Sequence, residues 1–316
     1  MGEESQSKVR ITVNSWSGEV EHEGYLLHPV KNGYITLKLV NGYNLSHPLD
    51  AIDSIDTIED ATEKVHEEPS NHIEENNLSL PQVTLLHTGG TIASKVDYET
   101  GAVIARFEPE EILDAVPELR PIATIEAVMI GNMFSDDIRP RHWNQMIRET
   151  EAAFERGTSG VVITHGTDTM SISAAAMAFA WSGDGGRPPG PIVFTGAQRS
   201  SDRGSSDAKE NLIAAIHYAA YGKAPSGEGD SAVIVMHETS SDGTLSILPG
   251  ISSRKMHSSR RDAFQSIDIG PLGRIHVDGS DCRHQILQQK TVKRPISKPL
   301  LFNEEIKIAE MIAGPH

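Results

Sequence analysis

The chain is predicted to be an α/β protein in which a small β-barrel over residues 1–58 precedes a parallel-sheet domain over residues 83–289. Three observations predict this. Up to residue 56, apolar and polar residues alternate between glycine-containing turns, the period of short half-buried strands. Residues 59–82 then form an acidic stretch with few apolar side chains. From Val83, short apolar runs alternate with helical patterns, which is the grammar of βαβ units.

The first strands are expected at Val9 to Val13, Glu19 to Leu27 and Tyr34 to Val40, separated by Ser17-Gly18, Asn32-Gly33 and Asn41-Gly42 turns. The linker follows from charge. Residues 1–80 hold 15 acidic and 5 basic side chains, so this quarter carries −10 of the total −16. Strands are predicted at Val83 to His87, Ile122 to Ile130, Gly160 to His165, Pro191 to Thr195 and Ala232 to His237. The segment Arg141 to Arg156 puts Trp143, Met146, Ile147, Ala153 and Phe154 on one helical stripe, with Gly157 as its terminator. Met170 to Trp181 reads as a buried helix. Asp207 with Glu210 reads as an acidic capping box ahead of the helix Leu212 to Tyr221, closed by Gly222.

Composition excludes several functions. A surplus of 44 Asp+Glu over 28 Lys+Arg argues against an extended nucleic-acid surface on this chain itself. The single cysteine, Cys282, lies in the polar stretch Gly279 to His284 and reads as solvent-facing and structural; one cysteine forms no internal disulfide, which fits a reducing cytoplasm. The longest apolar run, near Ala174 to Trp181, is far below the roughly 20 residues of a membrane span. His237-Glu238 lacks the second histidine of a zincin motif, and no Gly-Lys-Ser/Thr follows Gly89-Gly90, so neither a metal site nor a Walker loop is expected.

In an open α/β sheet, ligands bind beyond the carboxyl ends of the strands. Two of these ends are rich in threonine: His87-Thr-Gly-Gly-Thr91-Ile-Ala93 and His165-Gly-Thr-Asp-Thr169. A lone Thr-Asp-Thr before a helix is ordinarily an N-cap. Two hydroxyl clusters on successive strand ends, with glycines that bare backbone N–H groups, suit a threonine nucleophile and an oxyanion site.

Thr88-Gly-Gly-Thr-Ile-Ala93 followed about 75 residues later by Gly166-Thr-Asp-Thr169 resembles the bacterial-type L-asparaginase/glutaminase family. Gly196-Ala-Gln-Arg199, Ser206 to Leu212, Ser253-Arg-Lys-Met256 and Gly270-Pro-Leu-Gly273 extend the resemblance over roughly residues 83–275. The added barrel, Ser94 to Val103 and Asn132 to Asp137 are similar to the D-type glutaminase subunits of archaeal glutamyl-tRNA(Gln) amidotransferases.

The resemblance implies an asparaginase-like α/β fold and amidohydrolase chemistry. Thr91 would be the nucleophile on the glutamine amide, and Tyr98 a lid residue that helps activate it. Thr167, Asp168 and Lys255 would form the second catalytic group, with Asp168 on the substrate α-ammonium. Backbone N–H groups near Gly90 and Thr167 would stabilise the oxyanion, Gly166 would help bind substrate, Ala197 would lie beside the leaving amide, and Asn132 stands where many relatives carry a carboxylate-binding serine. Lys255 by itself, beside Arg254, Arg260 and Arg261, would be a solvated surface lysine; the matched motif order makes it catalytic.

The resemblance further implies no cofactor on this chain, an E-type amidotransferase partner that uses ATP and Mg, Glu-tRNA(Gln) bound through the complex, and a homodimer within a heterotetramer. The family's second α/β domain is expected to be largely absent, with a linker at about Lys290 to Asn303 and only a first strand at Ile306 to Ile312. Two rivals stay open: a stand-alone cytoplasmic L-asparaginase, and an inactive truncated fragment acting only as a binding module.

Overall fold

The computed structural model describes residues 8–15, 18–31, 34–38, 44–59, 80–89, 94–96, 103–105, 116–131, 133–199, 205–288 and 293–305. Its contacts divide the chain into two compact units.

The first unit contains β1 (Lys8–Ser15), β2 (Gly18–Lys31), β3 (Tyr34–Lys38), β4 (Asn44–Pro48) and β5 (Ile52–Glu59). They form one antiparallel sheet in the order β4-β3-β2-β1-β5, whose end strands are joined through a 3-10 turn at Leu49–Ala51. The alternation seen in the sequence has a direct cause. Val9, Ile11 and Val13 of β1 point inward with Ile35 and Leu37 of β3, while Arg10 points out to Glu23 at 2.9 Å.

The second unit holds β6 (Gln82–His87), β9 (Thr124–Met129), β10 (Gly160–Thr164), β11 (Ile192–Thr195), β12 (Val233–His237), β13 (Thr244–Pro249), β16 (Gly273–Asp278) and β17 (Asp281–Ile286) in one sheet. A short pair, β14 (Ser253–Lys255) with β15 (Phe264–Ser266), stands apart in this unit, whereas β7 (Ser94–Val96) and β8 (Val103–Ala105) pair with each other and group, over Lys95–Ile104, with the first unit. The large sheet has the order β17-β16-β13-β12-β11-β10-β6-β9. The ladders β9-β6-β10-β11-β12 are parallel, and β13, β16 and β17 add antiparallel strands. The sheet is therefore mixed, wider than the five parallel strands expected.

Among the described residues, three helices cover the two faces: α1 (Pro140–Glu155), α2 (Met170–Ser182) and α3 (Ala208–Tyr221). Leu86, Val161, Ile163, Ile192 and Phe194 meet α1 and α2 on one face. Val83, Leu85, Val162, Val193 and Val235 meet α3 on the other. Burial on both faces is why these strands read as continuous apolar runs. Gly157 closes α1 at φ +93, as its place after the apolar stripe predicted.

Two further expectations need correction, the capping box and the placement of Cys282. Asp207 makes no side-chain cap on α3; its carboxylate accepts the N–H groups of Gln198 and Arg199 instead. Glu210, the other half of the expected capping box, turns to His237 and the Gly243 N–H. Cys282 is half-buried and packs on the apolar core rather than facing solvent. Residues 293–305 are hydrogen-bonded to the α/β domain. Ser297 N–H donates to the Arg187 carbonyl, Leu300 N–H to Ala180, and Asn144 both donates to and accepts from the Phe302 backbone. The segment Ile306 to Ile312 lies outside the described residues.

Candidate active site

β6 and β10 lie side by side, yet the chain leaves β6 for β9 on one flank and β10 for β11 on the other. This divergence is a topological switch point, where the loops after the two strands part and leave a crevice. Thr88, after β6, and Thr167 and Thr169, after β10, are at its mouth.

On the β6 side the chain is pinned before it enters the crevice. His87 Nδ1 lies 2.7 Å from Thr164 Oγ1, and Thr88 donates to the Thr164 carbonyl both from its hydroxyl, at 3.0 Å, and from its N–H, at 3.2 Å. Gly89 follows at φ +111, a conformation that favours glycine. Gly90, Thr91, Tyr98 and Asn132 lie outside the described residues.

On the β10 side the structure brings Thr167, Asp168 and Lys255 together. Lys255 Nζ donates to Thr167 Oγ1 at 2.8 Å and to Asp168 Oδ1 at 2.7 Å. Lys255 ends β14, in register with Phe264 of β15, so a hairpin positions the amine 88 residues along the chain from Thr167. The lysine side chain is 12% exposed and that of Asp168 is 76% exposed. A hydroxyl held by a sheltered amine and an outward carboxylate can respectively receive or give a proton and hold a cationic group.

Close backbone packing sets this geometry. A Cβ on Gly166 would stand 2.8 Å from Ser135 Cβ, and one on Gly196 would stand 2.5 Å from the His165 carbonyl and 3.1 Å from Thr167 Cγ2. The loop that carries buried Ala197 therefore abuts Thr167. Thr169 donates to the Ser135 carbonyl at 2.6 Å, which ties the start of α2 to the loop before α1.

Two imidazoles behind the site are held neutral. Burial pushes His87 and His165 down to about 4. His165 donates from Nδ1 to the Gly166 carbonyl at 2.7 Å, fixing the turn that presents Thr167.

Sequence reasoning missed the polar cluster around His237. Glu210, His237 and Asp242 place their ligand-competent atoms within 4.8 Å of one another. The Gly243 N–H already donates to Glu210, and the Arg261 guanidinium pairs with Asp242. These contacts make a hydrogen-bonded ion-pair network. A signal was present in the four-residue spacing of Asp207 and Asn211, which places both on one face of a helix.

The asparaginase N-terminal domain family matches residues 82–288. The chain belongs to the asparaginase family. Among curated asparaginase-family relatives, the D subunit of the glutamyl-tRNA(Gln) amidotransferase of Pyrococcus abyssi is 42% identical over 277 residues, covering 86% of this chain and 60% of that protein. The protein of the same name from Methanosarcina mazei is 40% identical over 286 residues, covering 87% and 63%. This chain thus spans about 60% of the length of the curated relatives it matches. Among solved structures, the thermostable L-asparaginase from Thermococcus kodakarensis superposes with a TM-score of 0.56 at 30% identity, over 70% of this chain and 60% of that one. No helix among the described residues is long and apolar enough to cross a membrane.

Proposed function

We propose that this chain is the glutaminase component of a glutamyl-tRNA(Gln) amidotransferase, which releases ammonia from glutamine for the conversion of Glu-tRNA(Gln) to Gln-tRNA(Gln). The observation that carries the reading is Lys255 Nζ bridging Thr167 Oγ1 and Asp168 at the switch point of an asparaginase-family sheet. An amide is a poor electrophile, so its hydrolysis needs an activated hydroxyl, an oxyanion site and a proton for the departing nitrogen.

In this reading the Thr91 hydroxyl attacks the side-chain amide carbon of glutamine, assisted by Tyr98. Backbone N–H groups near Gly90 and Thr167 hold the oxyanion. The C–N bond breaks as the nitrogen takes up a proton and leaves beside Ala197 as ammonia. Water, activated at Thr167 and Lys255, then cleaves the glutamyl ester, so that glutamine and water become glutamate and ammonia. Asp168, with its exposed carboxylate, holds the α-ammonium, and Asn132 contributes to the α-carboxylate.

The length of the matches favours an amidotransferase component over a free asparaginase. The family match spans 207 residues, from 82 to 288, whereas the amidotransferase relatives align over 277 and so reach beyond the α/β domain. In this reading an E-type amidotransferase partner uses ATP and Mg to activate the glutamyl group and binds most of the tRNA phosphate charge, which suits a net charge of −16 here. The assembly is a cytoplasmic homodimer within a heterotetramer.

The test is ammonia release from glutamine and from asparagine, for the native chain and for Thr91→Ala, alone and with the partner, ATP and Glu-tRNA(Gln). Release stimulated by partner and tRNA, and lost in the variant, is expected. Release that prefers asparagine and ignores the partner would overturn the reading.

A further inference from the structure

The loop Gly196–Arg199 abuts Thr167, and the residues that hold it are far from any role assigned above. Asp207 and Asn211 are both 0% exposed, one turn apart at the start of α3. The Asp207 carboxylate accepts the Gln198 N–H at 3.0 Å and the Arg199 N–H at 2.9 Å. Asn211 Nδ2 donates to the Gly196 carbonyl at 2.9 Å and to Asp207 Oδ2 at 3.0 Å.

Both of those partners are acceptors only, so they settle which way the Asn211 amide points. Its Oδ1 faces His237 Nδ1 at 2.7 Å, and His237 Nδ1 therefore carries a proton. His237 Nε2 lies 3.0 Å from Glu210 Oε2, an oxygen that also accepts the Gly243 N–H at 2.9 Å. Without a further proton, a ring lone pair would face a carboxylate oxygen inside the protein. One proton must lie between them.

We propose that Asp207, Asn211 and His237 are positioning residues for amide hydrolysis, which lock the Gly196–Arg199 backbone against Thr167 through a relay kept in register by one proton held between His237 and Glu210. The inference rests on the amidohydrolase reading for its consequence but not for its geometry. The path is continuous: His237 orients Asn211, Asn211 holds the Gly196 carbonyl, and Gly196 packs on the His165 carbonyl, which leaves no room for a Cβ, and on the Thr167 methyl. The charged groups that bear on His237 are Glu210 and Asp207 from α3, Arg261 from the β14–β15 hairpin and Asp242 from the turn before β13. Burial and Arg261 drive the proton off the ring, and Glu210 and Asp207 retain it.

The experiment compares His237→Leu with His237→Asn, whose amide can still donate near the Nδ1 position, in the full-length chain with its partner. His237→Leu is expected to lower kcat for glutamine by roughly tenfold or more, the scale of one lost buried hydrogen bond, with KM changed by less than about twofold. His237→Asn is expected to restore kcat to within about threefold of the native value. Glu210→Gln removes the charge that retains the proton, so the alkaline limb of the kcat profile should move to lower pH. Hydrogen exchange at the Gln198 and Arg199 amides gives a readout without activity: faster in His237→Leu and native-like in His237→Asn. A folded His237→Leu protein with native kcat, pH profile and exchange would overturn the proposal. If the native protein hydrolyses no amide, the functional reading fails while the exchange pattern still decides whether the relay holds the loop.

Discussion

Lowering the pH from about 6.5 towards 4 should destabilise the α/β domain steeply, through imidazoles that are neutral in the fold. His87 and His165 sit at the carboxyl ends of neighbouring strands, 3% and 1% exposed, and burial pushes each down to about 4. In the unfolded chain histidine titrates near 6.5. Because the folded pKa is the lower one, the unfolded state takes up the proton first. Their stabilisation is therefore full above pH ~6.5, declines as the pH falls, and is gone near pH ~4. A shift of this size corresponds to roughly 3 kcal/mol for each ring, against a typical total of about 5–15 kcal/mol. His165 shows why the fold resists protonation. Its Nε2 is buried with no hydrogen-bond partner among the described residues, so an added proton there would be a charged donor without an acceptor.

Carboxylates held low by cations, such as Glu118 beside Lys209 and Asp262 beside Arg260, lose their contribution only below about pH 4.5, so they leave the higher window to the imidazoles. His217, also pushed down to about 4 by burial and by His284, adds to the same slope, so a single-residue control is needed. The assay is urea unfolding at about pH 5, 6 and 7 for the native chain and His165→Asn. The variant should lose one proton's worth of slope near pH 5, about 1.4 kcal/mol per pH unit, whatever its absolute stability. Equal slopes in the two proteins would refute the argument.

Other perturbations test other parts of the structure. Lys255→Met should cut glutamine hydrolysis by about 10²–10⁴-fold, and Lys255→Arg should not restore it, because a guanidinium does not give up its proton; ammonia release reads both. Gly160→Ala sets a Cβ 2.3 Å from the Ala219 carbonyl of α3, so a thermal melt should show a loss of about 1–3 kcal/mol or more, and an unchanged melt would contradict the helix placement. Asn144→Ala removes the amide that donates to the Phe302 carbonyl at 2.9 Å and to Glu304 at 3.0 Å and accepts from Phe302 N–H, at an expected cost of about 2 kcal/mol, with proteolysis near residue 302 as the local readout. Burial and Asp281 push the Cys282 thiol up to about 11, so alkylation near pH 8 should run roughly 100-fold slower in the native protein than in urea.

The central strands were legible because burial on both faces leaves no polar period to confuse. Val161 to Ile163 and Val233 to Met236 are apolar at every position, and Gly160 and Gly166 bracket the first. The antiparallel extension was less visible, although β16 alternates buried and exposed residues and turns at Gly279-Ser280 into β17, with Asp278 opposite Asp281. That hairpin carried a recognisable Gly-Ser turn signal. It lay beyond a run of βαβ units, where a further parallel strand was the natural continuation. β13 was hidden for a different reason: it lies inside the sheet between β12 and β16, and the alternation of Thr244-Leu-Ser-Ile247 lasts only four residues before Leu248 and Pro249 break it.

For the site, the motif spacing located Thr167 and Asp168 but was silent on what holds them, because the holding contacts join residues remote in sequence. Asp207 illustrates why local rules fail there. An acidic residue ahead of a helix is expected to cap it, yet Ser206 already accepts the Ala208 N–H, and the Asn211 N–H takes the Asp207 carbonyl. The orphan donors lie elsewhere. Where β11 ends, the N–H groups of Gln198 and Arg199 leave the ladder while the chain is still packed against Thr167, and buried donors must be satisfied. The Asp207 carboxylate is drawn to those two amides because they have the greater need, and the residue that would have ended a helix in isolation instead fixes the wall of the crevice.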